Sequence, residues 1–431
     1  MSERLLEEQF ALLRAKCDSG AMRDGALLKA RFKALNGAVR AARQEILGAF
    51  QSDCARSGSE VWRDEIVPVL QELRRANRQL AGYGRPARTA RFGVRTAFQP
   101  HGVVLVTADW GKPFFSMMTA VINAAAAGNC VMLKVTPEAQ SVMAVTVRLL
   151  KEVFQSDEVL PVNAELTELL ALPFDAVCVN GDRDSVLHAA ETMARRLGFG
   201  RFLVWRKHWC VVLNEADVAC CARMIVRKKF RNAGQYADAP DCVLVHKSVK
   251  DALMIALRRA IRGSFGDSPE ESRGYARIVN DFHYERLAAL LREGRLVTGG
   301  EHHPDDRYIA PTVIDNLEDD SVLLRDPVRG PILPVFEFET LGEALDLIRR
   351  RPEARFISAF GAGRRSRKRL MGVKCEMVCF NDVAEAPCNW TPEDFRLAVS
   401  VRQRWSLRQM LLVLLPGFLR RQRAAARRLV G

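Results

Sequence analysis

The sequence predicts an α/β fold, on three observations. Residues 103–107, 131–134 and 176–179 are short apolar runs separated by helical stretches, the pattern of a parallel sheet with crossover connections. A second set opens with the runs 211–213 and 242–246 and continues through helices over 250–263 and 281–293. At 431 residues and 48% hydrophobic composition, the chain can bury two substantial cores, which excludes a disordered or fibrous protein.

Ahead of the first strand, residues 1–85 read as an outer layer of amphipathic helices, with Phe10, Leu13, Leu27, Leu28, Phe32 and Leu35 near helical spacing. Glycine and proline punctuation brackets residues 89–98, which predicts an extended connection. The first eight residues are acidic and amphipathic and lack the apolar core of a secretory signal. Eleven cysteines show no paired metal-ligand spacing. Cys220 and Cys221 are adjacent, and Cys375 and Cys379 are four apart without histidines to complete a site. The expectation is reduced, structural thiols in an intracellular compartment that the sequence does not specify, with no bound metal.

Sixty-five basic against 51 acidic residues leave a net charge of +14. The excess clusters at Arg349-Arg350-Arg351, at Arg364-Arg365 with Arg367-Lys368-Arg369, and at Arg420, Arg421, Arg423, Arg427 and Arg428. Two readings stay open: solvated helix faces, or a surface for an anionic partner such as acidic protein, RNA or lipid. No RNA-binding aromatic motif or helix-turn-helix signature is present.

The segment Asn232-Ala233-Gly234-Gln235-Tyr236-Ala237-Asp238-Ala239-Pro240-Asp241 resembles the catalytic loop of the aldehyde dehydrogenase superfamily, in its fatty aldehyde dehydrogenase branch, where Asn-Ala-Gly-Gln precedes Thr-Cys and then Ala-Pro-Asp. The resemblance extends over residues 90–385, through Pro100-His101-Gly102, Val131-Met132-Leu133-Lys134, Tyr275-Ala276-Arg277, Tyr308-Ile309-Ala310-Pro311-Thr312, Gly330-Pro331 and Phe380-Asn381-Asp382. It implies a Rossmann-type dinucleotide-binding domain over 86–210, a catalytic-type α/β domain over 211–378 and an oligomerisation arm with a basic tail over 379–431.

It also implies site positions, several of which carry unexpected residues. Ala237 stands at the nucleophile, and a methyl group forms no thiohemiacetal. Leu203 stands at the general base and Gly111 at the oxyanion amide. Trp205 and Arg206 replace two glycines beside the nicotinamide. Lys134 and Gly181 remain as cofactor contacts, Asp182 and Asp184 crowd the phosphate turn, and Pro327 replaces a ribose-holding glutamate. These replacements predict a catalytically inactive structural or interaction subunit that needs no cofactor. The alternative is an NAD(P)-dependent aldehyde oxidoreductase of fatty aldehyde type with a relocated or non-standard site; a third reading is a sensor that binds nucleotide without turnover. Other candidates at the vacancy are Tyr236 and Asp238, while Cys210 and Cys242 fall within predicted strands.

Residues 410–419 are apolar and end in the last arginine cluster, too short a run to span a bilayer. They predict either a buried contact in a homodimer or heteromeric complex, or peripheral association of residues 410–431 with an anionic membrane.

Overall fold

Strands covered by helices on both faces are apolar throughout rather than alternating, and the chain's apolar runs form two sheets of this kind. The computed structural model describes residues 3–80, 94–196, 198–351, 354–385 and 392–402. The first sheet is fully parallel, in the spatial order Val159–Val162, Cys130–Lys134, Val103–Val106, Ala176–Gly181, Phe199–Val204. Its direction of winding reverses between Val103–Val106 and Ala176–Gly181. In such sheets the crevice beyond the carboxyl ends at this reversal is where ligands bind.

The second sheet has seven strands, in the order Cys375–Phe380, Ala354–Phe360, His208–Val212, Cys242–His246, Ile332–Phe338, Thr312–Asp315, Arg295–Thr298. All neighbours are parallel except the last pair. The strand of this sheet that comes first in the chain begins at His208, earlier than the apolar run 211–213 suggests, because His208 is itself buried and pairs with Phe356. Helices Lys250–Phe265 and Asp281–Leu290 match the two expected in this half.

The N-terminal layer comprises helices Glu3–Asp18, Gly25–Ala41 and Arg43–Cys54 and a longer helical run from Gly58 to Leu80. Asp24 starts the second by accepting the Ala26 amide at 2.8 Å, an N-cap. Phe10, Leu13, Leu28, Phe32 and Leu35 bury into the same core as Val103–Val106 and Phe114, so these helices and the first sheet share one interior. Within the longer run the Val67 amide bonds to the Trp62 carbonyl, five residues back. This wide turn lies where Glu60, Asp64 and Glu65 are all buried, and such turns recur at functional sites.

Strand Val94–Pro100 pairs antiparallel with Arg396–Arg402, from Val94 against Arg402 to Pro100 against Arg396. The expected extended connection thus begins, among the described residues, at Val94. The apolar segment 410–419 and the terminal arginine cluster lie outside the described residues. No helix among the described residues is long and apolar enough to cross a membrane.

Because Phe32 is fully buried in the shared core, Phe32→Ala should cost about 3–5 kcal/mol. Hydrogen exchange should then accelerate in Val103–Val106 as well as in Gly25–Ala41; acceleration confined to the helix would show that the two cores are separate.

Candidate active site

Helix Val218–Lys229, capped by Asp217 through the Cys220 amide at 3.0 Å, delivers the loop containing Ala237 to the junction of the two halves. Asn232, Ala233 and Gly234 all take positive φ, at 49°, 48° and 71°. At Gly234 a side chain is excluded twice, by this backbone conformation and by the Gly330 carbonyl that a Cβ would strike. The Gln235 amide then fixes the loop. Its Nε2 donates to the Asn232 and Arg277 carbonyls at 3.0 Å each, and its Oε1 accepts the Val279 amide at 2.9 Å.

Tyr236 points into a buried ionic cluster contributed by the N-terminal helices. Its hydroxyl accepts from the Arg56 guanidinium and faces Glu60 Oε1 at 2.9 Å and Asp64 Oδ2 at 3.0 Å. Arg56 is only 1% exposed and donates to Glu65 Oε1 at 2.6 Å, while Glu65 Oε2 accepts the Phe115 amide at 2.9 Å. Arg231 bonds Asp64. Burial pushes the Asp64 carboxyl up, but the Arg63 and Arg231 guanidiniums outweigh it and bring it down to about 2. Burial holds the Tyr236 phenol well above its ordinary range, so the hydroxyl stays neutral. Sequence reading placed these acids in an outer helical layer; their clustering with Tyr236 depends on a pairing 172 to 180 residues apart in the chain.

Ala237 is half-buried, and the residue after it borders a cavity of about 770 Å³. Asp238 lines that cavity at 2% exposure, with Oδ2 3.1 Å from Lys228 Nζ and 3.8 Å from Lys112 Nζ. Lys112 Nζ also sits 4.6 Å above the Tyr236 ring. Lys228 and Lys112 thus reach Asp238 from separate elements.

Gly111 is buried against the loop, its carbonyl accepting the Asn232 side-chain amide at 3.1 Å. A Cβ there would collide with the Gln235 carbonyl and the Arg329 guanidinium, so no side chain fits at this position as the structure stands. Leu203 is half-buried on strand Phe199–Val204 and carries no proton-accepting atom. Cys210 and Cys242 are fully buried on central strands; burial raises the Cys242 thiol to about 12 and the Cys210 thiol well above its ordinary range, which excludes both as nucleophiles. His208 bridges the Asp238 carbonyl at 2.9 Å and Ser358 Oγ at 2.8 Å, and burial lowers it to about 4. It is a neutral, structural histidine.

The crevice between the sheets is occupied by side chains. The Arg329 guanidinium lies 4.3 Å from the Trp110 ring centre and 4.5 Å from that of Trp205, and His283 stacks on Trp110 at 4.3 Å. Arg329 is held there by Asp109 Oδ1 at 2.5 Å and the Gln235 carbonyl at 3.0 Å. Trp205 thus joins a stack whose cation is Arg329, which no sequence pattern indicated. Pro327 is half-buried two residues earlier.

These residues do not fit a dinucleotide in its usual pose. At the nicotinamide end the arginine–tryptophan stack fills the space beside Gly111. At the phosphate end the Asp182 carboxylate already accepts both the Ser185 amide, at 2.9 Å, and its hydroxyl, at 2.8 Å, occupying the helix N-terminus that a pyrophosphate would use. Gly181 keeps ordinary clearance and Lys134 is half-buried at the end of its strand. Among the described residues, no group of three metal-ligating side chains occurs.

The aldehyde dehydrogenase family profile matches residues 29–390, and the chain belongs to that family. The 4,4'-diaponeurosporen-aldehyde dehydrogenase of Staphylococcus aureus (strain NCTC 8325 / PS 47) is 30% identical over 378 residues, covering 85% of this chain and 82% of its own. Mouse (Mus musculus) aldehyde dehydrogenase family 3 member A2 is 27% identical over 375 residues, covering 85% and 78%. Among solved structures, the substrate-bound state of Staphylococcus aureus AldH superposes with a TM-score of 0.86 at 26% identity over 97% of this chain and 98% of that one. An NAD-dependent aldehyde dehydrogenase from Sinorhizobium meliloti shares the fold, with a TM-score of 0.81 at 20% identity over 94% and 88%.

These relatives overturn the expectation of a catalytically inactive structural subunit. They are named as aldehyde dehydrogenases and match the chain over most of its length, which favours the oxidoreductase alternative. The expectation that no cofactor is needed likewise finds no support among them.

If the stack is the barrier at the nicotinamide end, Arg329→Ala should tighten NAD or NADP binding at least about tenfold in calorimetry, the loss of Asp109 pairing being offset by the opened space; unchanged affinity would clear Arg329 of that role. Lys229 is fully buried with no hydrogen-bond partner for its ammonium among the described residues, and burial lowers it to about 8. Between about pH 8 and 10.5 the unfolded chain binds a proton that the folded chain does not, so this lysine's cost is full below pH 8 and fades as pH rises. Lys229→Met should therefore stabilise the protein by up to about 3 kcal/mol at pH 7 and by little at pH 10.5, read from paired denaturant curves.

Proposed function

We propose that this chain is an aldehyde oxidoreductase of the fatty aldehyde dehydrogenase branch, linked to NAD or NADP, with a non-standard active site in place of a cysteine nucleophile. The observation that carries this reading is that Lys112 and Asp238, the residue after Ala237 in the loop, line one cavity together. Family membership supplies the substrate class, and the cavity supplies room for an aldehyde at the loop that the family uses.

Without a thiol at position 237 no covalent adduct forms on this loop, so the reacting species is the free aldehyde or its hydrate. The Lys112 ammonium is placed to polarise the carbonyl oxygen or to hold a hydrate hydroxyl. Asp238, oriented by Lys228 at 3.1 Å, is placed to accept the proton that a hydrate hydroxyl releases. Tyr236 is a positioning residue: its hydroxyl is committed to Arg56 and the facing carboxylates, and its ring supports Lys112. Because the crevice does not fit the dinucleotide in its usual pose, no hydride step is assigned to it.

The test is NAD(P)H formation by the purified chain with medium- and long-chain aldehydes and with 6-oxohexanoate, beside an active family member. Turnover is expected, and Asp238→Asn and Lys112→Met should each lower kcat about a hundredfold with a smaller change in KM. Absence of turnover with either dinucleotide, in the wild type and in Arg329→Ala alike, would overturn the proposal.

A further inference from the structure

A site for a purely hydrocarbon aldehyde needs an apolar sleeve, and this cavity lacks one. Of its lining side chains only Phe115 and Pro68 are apolar, whereas six are cationic and four are carboxylates. What matters is how the charges are already paired. Asp64 is held by Arg231 and Arg63, Glu72 by Arg75 with Nη2 to Oε1 at 2.7 Å, and Asp238 and Glu385 by Lys228 at 3.1 and 2.9 Å. Every carboxylate on the wall thus has a nearer cation. That leaves Arg78 and Arg227, which have no carboxylate partner among the described residues, and Lys112, whose nearest carboxylate oxygen is 3.8 Å away.

We propose that the cavity takes an aldehyde bearing a second, anionic group, a carboxylate or phosphate, which Arg78 and Arg227 receive while Lys112 and Asp238 meet the carbonyl end. The two arginines come from different elements, Arg78 from helix Val67–Leu80 and Arg227 from helix Val218–Lys229, both of which line the cavity, so an anion between them bridges the N-terminal layer and the second half. Guanidinium forks suit carboxylate and phosphate oxygens in particular. A cation surplus facing a concave wall also concentrates anions from solution. This inference rests on the reading that the cavity lined by Lys112 and Asp238 is the substrate site, and it replaces a long-chain hydrocarbon substrate with a charged one.

The experiment is calorimetric titration of the full chain with non-reacting probes of matched length: adipate, hexyl phosphate and hexan-1-ol. Adipate or hexyl phosphate should bind and hexan-1-ol should not; the tighter of the two anions identifies the group. Arg78→Ala and Arg227→Ala, both at exposed positions that do not threaten folding, should each weaken anion binding about tenfold. Raising the salt from low to high ionic strength should weaken it comparably. Binding of hexan-1-ol as tight as that of the anions, or anion binding indifferent to both substitutions, would overturn the inference. Turnover of hexanal with no advantage for 6-oxohexanoate would overturn it while leaving the oxidoreductase reading in place. Arginine-dependent anion binding without turnover of any aldehyde would do the reverse, leaving the anion site and removing the oxidoreductase reading.

Discussion

The arrangement of the site depends on one buried guanidinium. Arg56 leaves the third helix of the N-terminal layer and enters the interior, where it meets Glu65 from the following helical run and the Tyr236 hydroxyl from the second half. A lone charge at that depth is strongly unfavourable, and it is tolerated because the carboxylate and hydroxyl replace its water shell and Phe50 covers its face at 4.7 Å. The same contacts fix the loop: Tyr236 is immobilised, and Asp238, two residues on, is presented to the lysines at the cavity wall. Breaking one partner would leave another buried ion unpaired, so the cluster behaves as a unit.

A second arginine performs a related task on the opposite side of the loop. Arg329, from the second half, inserts between two tryptophans of the first and pairs with Asp109. Together the two arginines clamp the loop, one from the helical layer and one across the crevice. Gly111 is the space that makes the second clamp possible, because a side chain there would meet both Arg329 and the loop backbone. The glycine at 111 and the arginine at 329 are therefore structurally coupled.

Much of the fold was legible because its signal is local. The runs at 103–106, 130–133 and 242–245 are apolar from end to end, and only strands buried on both faces have reason to be so. The loop around Ala237 was legible through its neighbours, since Gly234 and Gln235 are demanded by backbone geometry and by amide bonding that few residues satisfy. The ionic cluster was not, because Glu60, Asp64 and Glu65 look like the polar face of an exposed helix until Arg56 and Tyr236 are brought to them. A wide turn that buries adjacent acids leaves no periodicity to read; the nearest hint is the density of carboxylates between residues 60 and 65. Arg329 was hidden for a similar reason: its stacking partners come from two distant strand ends.

The ribbon between Val94–Pro100 and Arg396–Arg402 has a consequence for the order in which the molecule is completed. Its two strands are separated by about 300 residues of chain, so the first waits at the ribosome while both sheets are translated. At about 5–20 residues per second that interval is about 15–60 s. For that time Val94–Pro100 is an unpaired strand edge, the kind of surface that seeks another chain. Final closure is thus a late event in biosynthesis, and truncation ahead of residue 396 exposes the same edge for the lifetime of the protein.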